Sequence, residues 1–288
     1  MNSTTIEKQG AFLGIDTEYD SAQVVILPVP FEQTVSYGKG TAHGPGSLID
    51  ASSQVEFFDD ELGIEIPDKI SFHTLDAVDS AETSERMCER LTDISIDLIR
   101  DQKWIMAFGG EHSITPGFVK AQAEFHDDFG ILQIDAHSDL RDSYNGDKYS
   151  HASAMARSIN LAPIIGVGIR SHCNEELFLI NSDRYSLFAA RDFNRTTSPK
   201  QISDQLPKKV YVTFDLDGLD PSVIPGTGTP EPGGLGWYDV LALLKTVAEE
   251  HEIIGCDIVE LAPIAGSHVS EFAAAKLATK LMTYSQLL

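Results

Sequence analysis

Short apolar runs rich in Val and Ile alternate, along this chain, with segments whose apolar residues recur at helical spacing. The runs are Val24–Val29, Trp104–Phe108, Gly130–Ile134, Pro163–Ile169, Val210–Phe214 and Ile253–Val259. The helical segments are Pro45–Gln54, Ala81–Arg100, Pro116–His126, His151–Ile159, Asn174–Asn181, Trp237–His251 and Ser270–Tyr284. Thr115 suits an N-cap and Pro116 the first helical position, a start signal for the third of them. A strand that is apolar at nearly every position needs cover on both faces. With the alternation this predicts an α/β fold, a three-layer α/β/α sandwich around a mostly parallel open sheet. No Pro-, Gly- or Ser-rich linker divides the sequence, so residues 1–288 read as one domain. Ligands in such folds sit beyond the carboxyl ends of the strands.

Composition excludes several classes. The net charge is -23, from 21 basic and 44 acidic residues, which disfavours nucleic acid and anionic membrane as partners; it would attract a cationic ligand, though by itself it reads first as a source of solubility. No apolar run approaches the roughly 18 residues of a membrane span. The N-terminal MNSTTIEKQGAF has no apolar stretch of a secretory signal. Cys88, Cys173 and Cys256 are odd in number and far apart, which predicts a reducing, cytoplasmic setting and core or surface roles for all three.

Three strand ends carry polar clusters. Gly109-Gly110-Glu111-His112-Ser113 follows WIMAF, Asp135-Ala136-His137-Ser138-Asp139 follows GILQI, and Asp215-Leu216-Asp217-Gly218 follows VYVTF. In extended chain, alternate residues point to one side. Asp135, His137 and Asp139 can therefore converge, Asp215 and Asp217 can join them, and His112 completes the set if its strand is a neighbour. Four packed carboxylates need counter-charge, and two divalent cations bring their formal charge to zero. Six side chains serve two metals if two aspartates bridge. Oxygen-rich coordination with two histidines and no cysteine suits Mn²⁺, with Ni²⁺, Co²⁺ or Fe²⁺ as alternatives. Two such ions supply hydroxide near neutral pH.

The motifs GGEHS, DAHSD, SHAS, FDLDGLDP, PGTGTPEPGGL and DIVELAP, in this order, resemble the ureohydrolase family of arginases and agmatinases. PFEQTVSYGKGTAHGP near the N-terminus is similar to the family as well. The resemblance implies an α/β/α sandwich, assembly as a homotrimer or homohexamer, and two Mn²⁺ per subunit. It implies that His112, Asp135, Asp139 and Asp215 hold one ion and Asp135, His137, Asp215 and Asp217 the other, with Asp135 and Asp215 bridging. It makes Asp139 a proton carrier beside the nucleophile, His151 the proton shuttle, and Glu260 the partner of the substrate guanidinium. Two positions depart from the pattern. Glu111 stands where many relatives have Asp, and ASAM follows His151 where many agmatinases have Gly-Thr.

The implied substrate is a small cationic guanidino compound. PGTGTPEPGGL, with Glu231, is closer to agmatinases than to arginases, and the loop LRDSYNGDKYSH lacks the arginase pattern for an α-amino acid. Agmatine, giving putrescine and urea, is the first expectation; N1-aminopropylagmatine, giving spermidine and urea, is the alternative. Guanidinobutyrate and arginine follow. A one-zinc deacetylase would not need His112 and Asp139, and the motif order does not match two-metal phosphoesterases. A non-catalytic, polyamine-binding member would be expected to lack a ligand, and none is missing.

Overall fold

Eight strands form the central sheet of the computed structural model, which describes residues 6, 7, 10–193 and 195–288. They are β1 (Val24–Val29), β2 (Phe72–Thr74), β3 (Trp104–Gly109), β4 (Gly130–Ile134), β5 (Ile164–Ile169), β6 (Tyr185–Ala189), β7 (Lys209–Asp215) and β8 (Glu252–Val259). Their spatial order is β6-β5-β4-β7-β8-β3-β1-β2, and every neighbouring pair is parallel. Six strands fall on the predicted apolar runs. The two edge strands, β2 and β6, lie outside them. Two short antiparallel pairs, Ile6–Glu7 with Ile15–Asp16 and Phe58–Asp59 with Ile64–Glu65, also went unpredicted.

Alternate strand residues feed two separate cores. Val24 and Ile26 of β1 and Met106 and Phe108 of β3 face one; Val25, Leu27, Ile105 and Ala107 face the other. Helices α1 (Gly44–Ser52), α6 (Pro199–Ser203), α7 (Trp237–Glu250) and α8 (Val269–Leu287) cover the first face. Helices α2 (Ser84–Arg100), α3 (Thr115–Ala123), α4 (Ala154–Ser158) and α5 (Leu177–Ile180) cover the second. This is the expected α/β/α sandwich. Among the described residues, no helix is long and apolar enough to cross a membrane.

Several helix boundaries differ from prediction for local reasons. The Thr83 side chain accepts from Arg86 N, so α2 begins at Ser84 rather than Ala81. Thr115 is already helical and its hydroxyl meets Thr213 at 3.2 Å, so it does not cap α3. His151–Ser153 and Asn174–Glu176 are 3-10 turns that lead into the short α4 and α5. The unpredicted α6 is short but well signalled, with Ser198 and Gln201 forming a capping box around Pro199.

The topology sets the crevice. The chain builds β1, β2 and β3 on one side, then crosses to lay β4, β5 and β6 toward the other edge. Strands β7 and β8 later fill the gap. The carboxyl ends of β4, β7, β8 and β3 therefore stand side by side at the point where the winding reverses, the place such sheets keep for ligands.

On the opposite layer, α8 carries a buried cation. Lys280 is 5% exposed and its Nζ lies 2.8 Å from Asp59 Oδ2 and 3.2 Å from Glu61 Oε2. Asp59 is buried too, and this pair ties the Phe58–Glu65 hairpin to the helix layer. Removing one partner of a buried pair strands the other charge. Lys280→Met should lower the free energy of unfolding by about 3 kcal/mol in urea titrations. Asp59→Asn in the same chain should recover part of that loss.

Candidate active site

Each polar cluster leaves its strand by a different turn. After β4 the chain passes through Asp135 to Asp139, where the backbone is left-handed (φ 51°). After β7, Leu216–Gly218 forms a 3-10 turn in which Asp217 N donates to Asp215 Oδ1 at 2.9 Å. After β8, Glu260 is also left-handed (φ 68°). After β3, His112–Ile114 is a 3-10 turn. The predicted residues do converge. They do so through turns and two strained positions, however, and not by the simple alternation of extended chain. The turns fit because backbones approach closely: a Cβ on Gly218 would lie 2.7 Å from Asp135 N, and one on Gly110 would lie 2.1 Å from Phe31 O.

His112, Asp135 and Asp139 form one group of potential ligands; Asp135, His137 and Asp217 form a second, which shares Asp135. Within each group the ligand atoms all lie within 4.8 Å of one another. His112 Nδ1 lies 3.3 Å from Asp135 Oδ2, 3.0 Å from Asp139 Oδ2 and 3.4 Å from Asp215 Oδ2. His137 Nδ1 lies 3.0 Å from Asp217 Oδ2 and 3.7 Å from Asp135 Oδ1. Asp215 belongs to neither group, although its Oδ2 approaches His112 of the first. His151 and Glu260 line the same cleft, a space of about 210 Å³ that also exposes His137, Asp139, Asp215 and Asp217. Cys173 lines it as well, so this cysteine is neither core nor plain surface.

The electrostatics follow from burial. Burial and the charge of Asp135 push the Asp139 carboxyl up to about 6. Burial, with Asp217 and Asp135, raises Asp215 well above the carboxylate range. Burial would also raise Asp135, but the neighbouring imidazoles of His112 and His137 pull it below that range. The two imidazoles respond in kind. Burial opposes protonation, yet the surrounding carboxylates hold His112 well above its usual value and raise His137 to about 12. His151 moves the other way, down to about 4, through burial and the neighbouring His112 and His137. Glu260 is raised well above its ordinary value by burial and by Glu111.

Residues that sequence reasoning left without a role hold this cluster in place. Thr213 Oγ1 donates to Asp257 Oδ1 at 2.7 Å and meets His112 Nε2 at 2.9 Å. A hydroxyl has one hydrogen. With it committed to the carboxylate, His112 Nε2 donates to Thr213, so once the ring is neutral its lone pair is on Nδ1. That Nδ1 is buried, is surrounded by three carboxylate oxygens, and makes no aligned hydrogen bond. A lone pair facing three acceptors is a poor resting arrangement and a good seat for a divalent cation. Gln133 Nε2 donates to Asp135 Oδ2 at 2.9 Å, and Tyr185 OH donates to Gln133 Oε1 at 3.0 Å. His137 N and Ala136 N donate to Asp135 Oδ1 and Asp217 Oδ1. Arg170 donates to the carbonyls of Asp217, Glu231 and Pro232, which rivets the β7 turn to the 231–232 loop. Asp257 and Glu231 lie in quoted motifs, whereas Thr213, Gln133 and Tyr185 sit on strands with no spacing to mark them.

Residues 22–284 match the model of the arginase family. The chain is 42% identical over 277 residues to the N(1)-aminopropylagmatine ureohydrolase of Synechocystis sp., covering 93% of this chain and 90% of that protein. It is 31% identical to the agmatinase of Halalkalibacterium halodurans, covering 88% of each. The crystal structure of agmatine ureohydrolase from Thermoplasma volcanium superposes with a TM-score of 0.85 at 30% identity, covering 93% of this chain and 92% of that one.

A cluster built to take cations should be stabilised by them. Mn²⁺ added to metal-stripped protein at 100-fold over its Kd should contribute about 2.7 kcal/mol, or roughly 4–5 °C in melting temperature for a chain of this length. Asp135→Ala, which removes the ligand common to both groups, should lose most of that shift. Thr213→Val should weaken the metal about tenfold. An undiminished shift in Asp135→Ala would show that the ion sits elsewhere.

Proposed function

The chain belongs to the arginase family of binuclear-metal ureohydrolases, and from that premise we propose that it hydrolyses N1-aminopropylagmatine to spermidine and urea. The observation that carries this choice of tail is similarity: 42% identity to an N(1)-aminopropylagmatine ureohydrolase against 31% to an agmatinase. The order of the two substrates is thus the reverse of the sequence expectation. Agmatine remains the second reading, supported by the 0.85 TM-score to an agmatine ureohydrolase. The cleft suits either cation. Its floor is carboxylate, and Tyr37 and Tyr144 on its wall offer faces for methylene and ammonium groups.

In this reading Asp135 and Asp215 would contribute to the holding of both of two Mn²⁺ ions, His112 and Asp139 would help to hold one, and His137 and Asp217 the other. When bound, two such ions lower the pKa of water and supply hydroxide near neutral pH. Glu260 pairs with the substrate guanidinium; a cation there relieves the cost that burial places on its charge. Its Oε1 accepts from His112 N at 2.8 Å, which fixes the carboxylate against the cluster. Asp139, close against His112, would take the proton released by the attacking water and pass it on toward the leaving amine. The guanidinium carbon gains the oxygen, the C–N bond to the alkyl amine breaks, and the amine nitrogen takes a proton from His151. Lowered to about 4, His151 rests neutral; it first takes a proton from solvent at the cleft mouth and then gives it to the amine. We take the 288 residues as one cytoplasmic unit, assembled as a trimer or hexamer.

Side-by-side urea assays with Mn²⁺ on aminopropylagmatine, agmatine, arginine and guanidinobutyrate test the proposal. The highest kcat/KM is expected for aminopropylagmatine; a higher value for agmatine selects the second reading. If no guanidino compound yields urea, the reading fails. Asp215→Asn should abolish urea release, and full activity in that variant would refute its bridging role. His151→Asn should lower kcat by about 100-fold with metal content unchanged in elemental analysis.

A further inference from the structure

Glu111 is a carboxylate at the site that the reaction above does not use. It is fully buried. Four donors converge on it: Gln33 N (2.7 Å) and Thr34 N (2.6 Å) reach Oε2, and Thr34 Oγ1 (2.8 Å) and Ser113 Oγ (2.6 Å) reach Oε1. Burial raises its pKa, and these donors work against that. Thr34 then leads on to His151. Its Oγ1 lies 2.9 Å from His151 N and 3.0 Å from His151 Nδ1.

The hydrogens can be counted. The Thr34 hydroxyl carries one hydrogen and two lone pairs. Glu111 takes the hydrogen, and the His151 backbone N–H takes one lone pair. What remains for His151 Nδ1 is the second lone pair, so Nδ1 must be the donor. We propose that Glu111 and Thr34 are positioning residues that fix the tautomer of His151, with the hydrogen on Nδ1 and the lone pair on Nε2. This rests on the proposed role of His151 in proton transfer. In this tautomer Nε2, which has no hydrogen-bond partner among the described residues, can accept a proton and release it to the leaving amine. The ring stays anchored through Nδ1–H in both states. With the opposite tautomer, Nε2 could donate but could not first accept. Tyr144, whose ring meets that of His151 edge-on at 5.5 Å, limits the swing of the ring but makes no choice between its nitrogens.

Thr34→Val keeps the shape and removes the hydroxyl. It should lower kcat by about 10- to 100-fold, with KM and metal content unchanged, and Thr34→Ser should restore the rate. In a His151→Asn background, Thr34→Val should change kcat by less than about twofold, because the two residues act as one unit. An equal loss with and without His151, or a Thr34→Ser variant as slow as Thr34→Val, would overturn the proposal. An activity-free measurement separates it from the function itself. In ¹⁵N-histidine spectra of Zn²⁺-loaded protein, His151 should show Nδ1–H in the wild type and lose that preference in Thr34→Val. A wild type with Nε2–H would overturn the tautomer assignment even if urea is formed, and inactivity toward every guanidino compound would leave the spectrum to decide it.

Discussion

Four carboxylates buried together at the end of a sheet repel one another, and the architecture of the crevice answers that repulsion. Two unit charges 4 Å apart cost about 4 kcal/mol at an effective dielectric of 20. A single hydrogen bond offsets only about 1 kcal/mol. The backbone donors on Asp135, Asp215 and Asp217 can orient these groups but cannot balance them. No lysine or arginine among the described residues pairs with any of them; the nearby Arg170 donates to carbonyls instead. Two imidazoles and whatever cations enter are left to supply positive charge. The cluster is therefore a demand for counter-ions, held in a fixed shape before they arrive.

The sheet and the ligand set were legible in the sequence for the same reason. The interior strands β1, β3, β4, β5, β7 and β8 must be apolar on both faces, so they appear as unbroken runs. The polar clusters then stand out as interruptions at fixed places. The edge strands did not show. Phe72–Thr74 spans three residues, and Tyr185–Ala189 is half-exposed at its centre, so neither makes a continuous apolar signal. The manner of convergence was also hidden, because the left-handed turns at Asp139 and Glu260 follow no residue pattern that predicts them.

What the sequence could not display is the layer that aims the ligands. Thr213 reads as an ordinary β-branched strand residue, and Thr34 as part of a loop. Each proves to sit between a buried carboxylate and a histidine. Asp257–Thr213–His112 leaves Nδ1 of its imidazole bare, whereas Glu111–Thr34–His151 is proposed to leave Nε2 bare. The same three-part device thus serves opposite ring nitrogens, one for holding and one for transferring. The partners come from strands or loops far apart in the chain, and only the sheet order brings them together.

The left-handed backbone at Asp139 and Glu260 has a consequence for how the protein changes over time. Folding alone would prefer Gly or Asn at both places, since side chains with a Cβ are strained there and Asn tolerates the conformation best. Random substitution toward those residues would relieve strain while removing a carboxylate. Stability and turnover thus pull in opposite directions at two points, and only selection for the reaction keeps the acids. A lineage released from that selection should lose these two carboxylates early, while its fold, relieved of strain, persists.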